Sequence, residues 1–178
     1  MSKQITCKTK RGPKDIDNAS QKPIRILFIS HDTGMFGAQR TLLTLISAID
    51  RKFFTPILVI PRKGTLGNDV AGLGIPVFVK RLIHWVPSFN MSPVIKRLFH
   101  FCRFIFTLPL RSRSIERLIT ENDIDIVYTN TVTCVEGAIG AWRTGKPHIW
   151  HIHEPILRNS ELCTILPYPI YTWVINFL

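Results

Sequence analysis

An apolar run, Ile24 to Ile29 broken only by Arg25, passes through Gly34 and Gly37 into a segment where Ala38, Leu42, Leu45, Ile46 and Ile49 recur at helical spacing. A strand that turns through glycines into an amphipathic helix is the opening unit of a parallel α/β sheet. It is also the layout of a phosphate-binding site. Glycines let the backbone turn tightly and come close to a ligand, and the unpaired N–H groups of the helix's first turn carry partial positive charge toward an anion. Gly37 falls where that helix begins, and Gly34 lies in the turn before it.

Two nucleotide-binding patterns are excluded by spacing. The dinucleotide fingerprint needs three glycines in the turn and an acid at the end of the next strand for the ribose. This loop offers Gly34 and Gly37, and the next strand, Pro56 to Ile60, ends in Pro61-Arg62-Lys63. The Walker pattern of a P-loop nucleotide hydrolase does not occur.

The opening unit repeats. A helix over Thr65 to Leu73 and a strand over Pro76 to Lys80 follow, then a helix over Arg113 to Glu121, a strand over Ile124 to Thr129, a helix over Thr133 to Trp142 and a fifth strand over Pro147 to Ile152. Strands of continuous Ile, Val, Leu and Phe alternating with helices predict an α/β fold, a three-layer parallel sheet with helices on both faces. At 178 residues the chain is the size of one domain. The cysteines Cys7, Cys102, Cys134 and Cys163 are too scattered for a disulfide framework or a C-x-x-C pair, which suits reduced thiols in a cytoplasmic protein.

The net charge of +11 is concentrated in two places. Residues 1–22 are basic and poor in apolar side chains, so they cannot bury enough surface to offset ordering entropy, and a disordered tail is expected there. The second basic segment contains Val94 to Leu108, where Lys96, His100, Arg103 and Thr107 share one helical face, and Phe99, Phe101, Phe104, Ile105, Phe106 and Leu108 cover much of the rest. A basic stripe beside a broad aromatic face suits a helix lying in an anionic membrane interface, and it suits equally a helix packed on the sheet with a solvated basic edge. No apolar run has the length of a spanning helix without a charge. Aromatic and basic residues do not interleave as on a single-strand platform, and no nucleic-acid motif occurs, so a nucleic-acid partner is not expected.

A second constellation closes the fifth strand: His148-Ile149-Trp150-His151-Ile152-His153-Glu154-Pro155. Strand alternation points His151 and His153 one way and His148 the other. In an open α/β sheet ligands bind beyond the carboxyl ends of the strands. His153 and Glu154 belong to that edge, as do His31 and Asp32 after the first strand and Asn130 after the fourth, so three strand ends place polar groups at one crevice. Two imidazoles on one face can also ligate zinc, but no third ligand follows at regular spacing, and no metal is expected.

These residues together resemble the N-terminal half of the GT-B glycosyltransferases, specifically the family 4 type of retaining enzymes that use nucleotide sugars. The resemblance is carried by Ile26-Leu27-Phe28-Ile29-Ser30-His31-Asp32 leading to Gly34-Met35-Phe36-Gly37-Ala38-Gln39-Arg40, by Asp125-Ile126-Val127-Tyr128-Thr129-Asn130-Thr131, and by Trp150-His151-Ile152-His153-Glu154, and it spans Ile24 to about Pro155. It implies a Rossmann-like domain over residues 23–155. The loop at Gly34 and Gly37 would approach the donor diphosphate, with Gly37 and Ala38 offering backbone donors. His153 would stand beside the donor sugar near the reacting carbon, Glu154 would hold the acidic position that follows it, and Asn130 would line the acceptor side of the cleft, with His31 and Asp32 nearby. The donor is then a nucleotide sugar acting as substrate, no cofactor is needed, and the acceptor is a glycan or a lipid-linked group. Membrane-facing members carry a basic, aromatic helix near the position of residues 94–108, which implies peripheral contact with an anionic membrane on its cytoplasmic face.

The sequence departs from that family in one respect. A second Rossmann-like domain, which binds most of the nucleotide sugar and carries paired glutamates separated by seven residues, has no counterpart; Glu154 and Glu161 miss the spacing by one. Residues 156–178 are expected to be the apolar end of the first domain, and the sequence to be a truncated product or one half of a split enzyme, completed by a C-terminal half on another chain and inactive alone. The competing expectation is a noncatalytic module of the same fold that docks on a membrane or a partner subunit through the basic aromatic helix. A third, another Rossmann-like nucleotide-binding protein, would bind a free nucleotide tightly by itself.

Overall fold

A computed structural model describes residues 22–85 and 94–153. The tail expected over residues 1–22 lies, but for Lys22, outside the described residues, as do Glu154 and the end expected over residues 156–178. Nine elements alternate in order: β1 (Ile24–Ile29), α1 (Gly37–Ala48), β2 (Phe54–Ile60), α2 (Thr65–Gly72), β3 (Val77–Val79), α3 (Val94–Glu121), β4 (Ile126–Thr129), α4 (Glu136–Thr144) and β5 (His148–Trp150). The strands form one all-parallel sheet in the order β3-β2-β1-β4-β5. The expected Rossmann-like three-layer architecture is therefore present.

Alternation along the strands divides the core between the two faces. Phe28, Leu58 and Ile60 point to one side, where Leu42 and Ile46 of α1 and Leu66 and Val70 of α2 cover them. Leu27, Ile29, Ile57, Val59 and Val127 point to the other, under Ile115, Leu118 and Ile119 of α3 and Ala141 of α4. The chain thus winds outward from β1 in one direction to β3, crosses back through α3, and winds out in the other direction to β5. Cys134 sits in the second cluster with its thiol pushed by burial up to about 12, a packing residue rather than a reactive one.

Three expectations are corrected in detail. Leu45 is 37% exposed and stands off the apolar stripe of α1, whose inward residues are Gln39, Leu42 and Ile46. β2 starts at Phe54 and runs through Pro56, because its pairing with β3 begins only at Leu58; on that side Pro56 has no neighbouring strand to which an N–H would be owed. The largest difference is α3. Separate helical stretches are expected over Val94 to Leu108 and Arg113 to Glu121, yet one helix runs continuously through both, past the proline at position 109. Arg111 braces the joint from inside: its Nε donates to Thr107 Oγ1 at 3.1 Å and its Nη2 to the Phe104 carbonyl at 2.8 Å.

The aromatic face of α3 also divides differently. Phe104 is buried against Ile83, Trp85, Val132 and Val135, with Leu108 packed beside it. Ile95, Phe99, Phe106 and Leu110, spaced by whole turns, face outward at 72%, 72%, 80% and 69% exposure. The outward side of this helix thus carries apolar side chains beside exposed Lys96 and Arg103, while Arg111 lies inside.

Candidate functional site

The order of the sheet places its reversal point between β1 and β4, and in open α/β sheets the crevice beyond that point is where ligands bind. Ser30 N–H donates to the Val59 carbonyl and Asn130 N–H to the Ile29 carbonyl, so the ladders hold until the chains part at the crevice.

From β1, the chain enters the loop of Ser30 to Phe36. Its Thr33 carbonyl accepts from the N–H of Leu66 in α2. Gly64 permits this approach, since a Cβ there would meet the Thr33 side chain, with Thr33 Cβ at 2.5 Å. Asp32 Oδ1 accepts from Thr33 N–H at 2.6 Å and faces Arg62 at 3.2 Å, so the carboxylate is engaged at the rim. His31 Nδ1 is buried with no hydrogen-bond partner among the described residues, and burial, then the neighbouring His84, lowers its pKa to about 4 despite Asp32.

Gly34 and Gly37 differ. A Cβ at Gly34 would meet the Phe36 ring at 2.6 Å, whereas Gly37 faces open space. Gly37 opens α1, as expected, and the first turn has neither a side-chain cap nor an acidic residue. The first intrahelical bond runs from Arg40 N–H to the Phe36 carbonyl, so the N–H groups of Gly37 and Ala38 precede the helical ladder.

From β4 and β5 come the polar groups expected at the same edge. Asn130 is wholly buried: its Nδ2 donates to the Ala38 carbonyl at 2.9 Å, and its Oδ1 lies 2.8 Å from His153 Nε2. The amide thus ties α1 to the segment after β5 at the edge where it was expected. His151 and His153 do share a side, their rings 3.9 Å apart, and His151 Nδ1 is 2.5 Å from the Tyr128 hydroxyl. His148 points to the opposite face, where its Nε2 meets Thr129 Oγ1 at 2.9 Å and burial lowers its pKa to about 4. Among the described residues no group of three or more His, Cys, Asp and Glu could hold a metal ion.

The opposite wall was not legible in the sequence. Residues 81–85 after β3 form a strap over the β4–α4 loop: Trp85 N–H donates to the Thr133 carbonyl, Trp85 Nε1 to the Val132 carbonyl at 2.8 Å, and His84 Nδ1 lies 2.8 Å from Thr133 Oγ1. The His84 ring meets that of His31 edge-on at 5.2 Å, and its pKa is lowered, chiefly by burial. Beneath the strap Arg111 and Glu136 form an ion pair, with side-chain exposures of 3% and 0%. Glu136 Oε1 also accepts from Ile83 N–H at 3.1 Å, which anchors the strap to the first turn of α4. Only an excess of basic residues in α3 hinted at this; the acid that partners Arg111 lies on another element.

No family model matches the sequence, and no curated protein matches it. Solved structures do. A glycosyltransferase from Rickettsia africae aligns with 86% of this chain and 34% of its own at 15% identity and a TM-score of 0.57. HepE (Alr3699) of Anabaena, in complex with UDP and glucose, aligns over 75% of this chain and 31% of its own at 22% identity, TM-score 0.51. MurG of Acinetobacter baumannii aligns over 72% and 34% at 14% identity, TM-score 0.50. The chain spans about a third of the length of these proteins, and at these identities the likeness is one of fold: a parallel Rossmann-like domain of the kind they contain.

Proposed function

We propose that this chain is the N-terminal, acceptor-side half of a GT-B glycosyltransferase, of the retaining family 4 type, that moves a sugar from a nucleoside diphosphate donor to a glycan or lipid-linked acceptor. The observation that carries the reading is the meeting of an uncapped α1 N-terminus with a buttressed histidine, His153, at the reversal point of the sheet. The fold likeness to glycosyltransferases, one of them in complex with UDP and glucose, supports it.

In this reading departure of the nucleoside diphosphate builds negative charge, and the N–H groups of Gly37 and Ala38 face it with the positive end of α1. The open space in front of Gly37 leaves room for that group. His153 holds the sugar near the reacting carbon while the acceptor hydroxyl attacks from the face the diphosphate leaves. Cationic groups for the diphosphate and most nucleotide contacts belong to a C-terminal half, and residues 22–153 alone bind donor weakly and do not turn it over. Glu154, outside the described residues, is proposed as the acid beside His153.

The test is release of nucleoside diphosphate from a panel of nucleotide sugars, with membrane extract as the source of acceptor, by the protein joined to its C-terminal half. Turnover with one donor, reduced by about two orders of magnitude or more in His153→Ala, is expected. Unchanged turnover in that variant removes His153 from the mechanism. Tight binding of a free nucleotide by residues 22–153 alone would favour a different Rossmann-like protein.

A second reading is favoured by the outward apolar residues of α3, flanked by exposed Lys96 and Arg103. No helix of the described residues is long and apolar enough to cross a membrane. The helix is instead proposed to rest on an anionic membrane surface, whether the domain is catalytic or serves only to dock.

A further inference from the structure

Two neighbouring strands, β2 and β3, both run out into basic residues. Arg62 and Lys63 follow β2 after Pro61, and Lys80 and Arg81 follow Val79 at the end of β3. The parallel pairing sets Ile60 beside Val79, and Lys80 N–H donates to the Ile60 carbonyl at 3.0 Å, so the four gather at the carboxyl edge of the sheet, at its β3 corner. Arg62, Lys63 and Arg81 are exposed, and Lys80 is half-buried. Arg62 meets Asp32 at the rim of the crevice, whereas no ion pair among the described residues holds Lys63, Lys80 or Arg81. Like charges gathered in this way repel one another, and a bound anion relieves that repulsion.

The basic edge runs from the crevice toward α3. Arg81 begins the strap, and farther along it the His84 carbonyl accepts from His100 Nε2 of α3 at 2.8 Å. His100 also lines a hollow of about 450 Å³ together with Ile95, Lys96, Phe99 and Arg103, a volume in the range of small-molecule sites. Arg81 and Arg103 flank one buried side chain: burial lowers the Arg111 pKa to about 10, against Cys134, and both arginines add to the lowering. Cations therefore continue from the crevice to a hollow that combines apolar walls with two basic side chains.

We propose that this band binds the phosphate that joins an acceptor sugar to a lipid. Lys63, Lys80 and Arg81 hold the phosphate or diphosphate, the hollow on α3 takes the first part of the lipid chain, and the sugar reaches the crevice past Arg62. The proposal rests on the glycosyltransferase reading and narrows its acceptor to a lipid-linked one. In the sheet β3 lies two strands from β1, about 10 Å, so these cations stand apart from the first turn of α1 and serve a second anion rather than the departing nucleoside diphosphate. A neutral glycan would leave the cations unpaired, and a free anion would leave the apolar walls of the hollow in water; a lipid phosphate answers both.

The experiment is calorimetric titration of the full chain with decyl diphosphate below its micelle concentration, beside inorganic pyrophosphate and the neutral decyl maltoside. Decyl diphosphate should bind at least about tenfold more tightly than either of the others. Lys80→Ala with Arg81→Ala should weaken it by about tenfold or more, whereas Lys80→Arg with Arg81→Lys, which keeps both charges, should stay within about threefold of the parent. Phe99→Glu should weaken decyl diphosphate and leave pyrophosphate as it was. Decyl diphosphate bound no better than decyl maltoside, or bound equally by the Lys80→Ala and Arg81→Ala variant, overturns the proposal. Pyrophosphate bound as tightly as decyl diphosphate overturns it in favour of a site for free phosphates. These titrations involve neither donor nor turnover. Absent binding beside turnover that needs His153 overturns the lipid-phosphate site alone; binding without turnover by the protein joined to its C-terminal half overturns the glycosyltransferase reading alone.

Discussion

Arg111 and Glu136 show at the scale of single residues how a site's wall is held. Desolvating two charges costs several kcal/mol, which only close pairing and further hydrogen bonds can offset. Here Oε1 of the carboxylate takes Arg111 and the Ile83 N–H, Oε2 is buried without a hydrogen-bond partner among the described residues, and the guanidinium also takes the Phe104 carbonyl and Thr107. Replacing one partner leaves the other charged and buried, so Glu136→Leu and Arg111→Met should each cost about 3–5 kcal/mol in urea unfolding. The double variant should recover much of that loss but not all, because Ile83 N–H then lacks an acceptor, at about 1–3 kcal/mol. Additive losses in the cycle would mean that the two residues act independently.

The elements divide into those that local pattern specifies and those that packing specifies. β1, the start of α1 at Gly37 and the convergence of the β1, β4 and β5 ends were legible because each depends on local runs of apolar residues, glycine and strand alternation. Asn130 was legible as a residue of the edge but not as a buried tie, since its two partners are 92 and 23 positions away. The strap was illegible for the same reason. Local pattern placed separate helical stretches over Val94 to Leu108 and Arg113 to Glu121, whereas one helix runs through both, and the Arg111 side chain reaches back across the proline to Thr107 and the Phe104 carbonyl. Periodicity likewise showed an aromatic helix without saying which aromatic turns inward; Phe104 is chosen by contact with Trp85, Val132 and Val135. The outward set makes a prediction for α3. The protein should sediment with vesicles containing anionic lipid, less so as salt rises, and Phe99→Glu with Phe106→Glu should reduce sedimentation at every salt concentration. Equal sedimentation with neutral vesicles at high salt, or none with anionic ones, would leave α3 without a membrane role.

Across the whole molecule, buried histidines set the acid limit of stability. His31 and His148 fall from 6.5 to about 4 in the folded protein, chiefly because burial disfavours the charged ring, and His84 is lowered for the same reason. Between these values the unfolded chain binds more protons than the folded one. The sign follows: stability is full above about pH 6.5 and declines as pH falls toward about 4, before most carboxylates protonate. Unfolding midpoints measured at pH 7 and pH 4.5 should show that decline, and His148→Asn should make it shallower. A flat profile over this window would mean that the histidines are solvated.

Because Arg111 locks α3 across its proline, the first half of that helix keeps a fixed bearing on the sheet instead of swinging at a hinge. A surface gripped by Phe99, Phe106 and Leu110 would therefore set the heading of the domain as a keel does: where α3 lands decides which way the crevice opens.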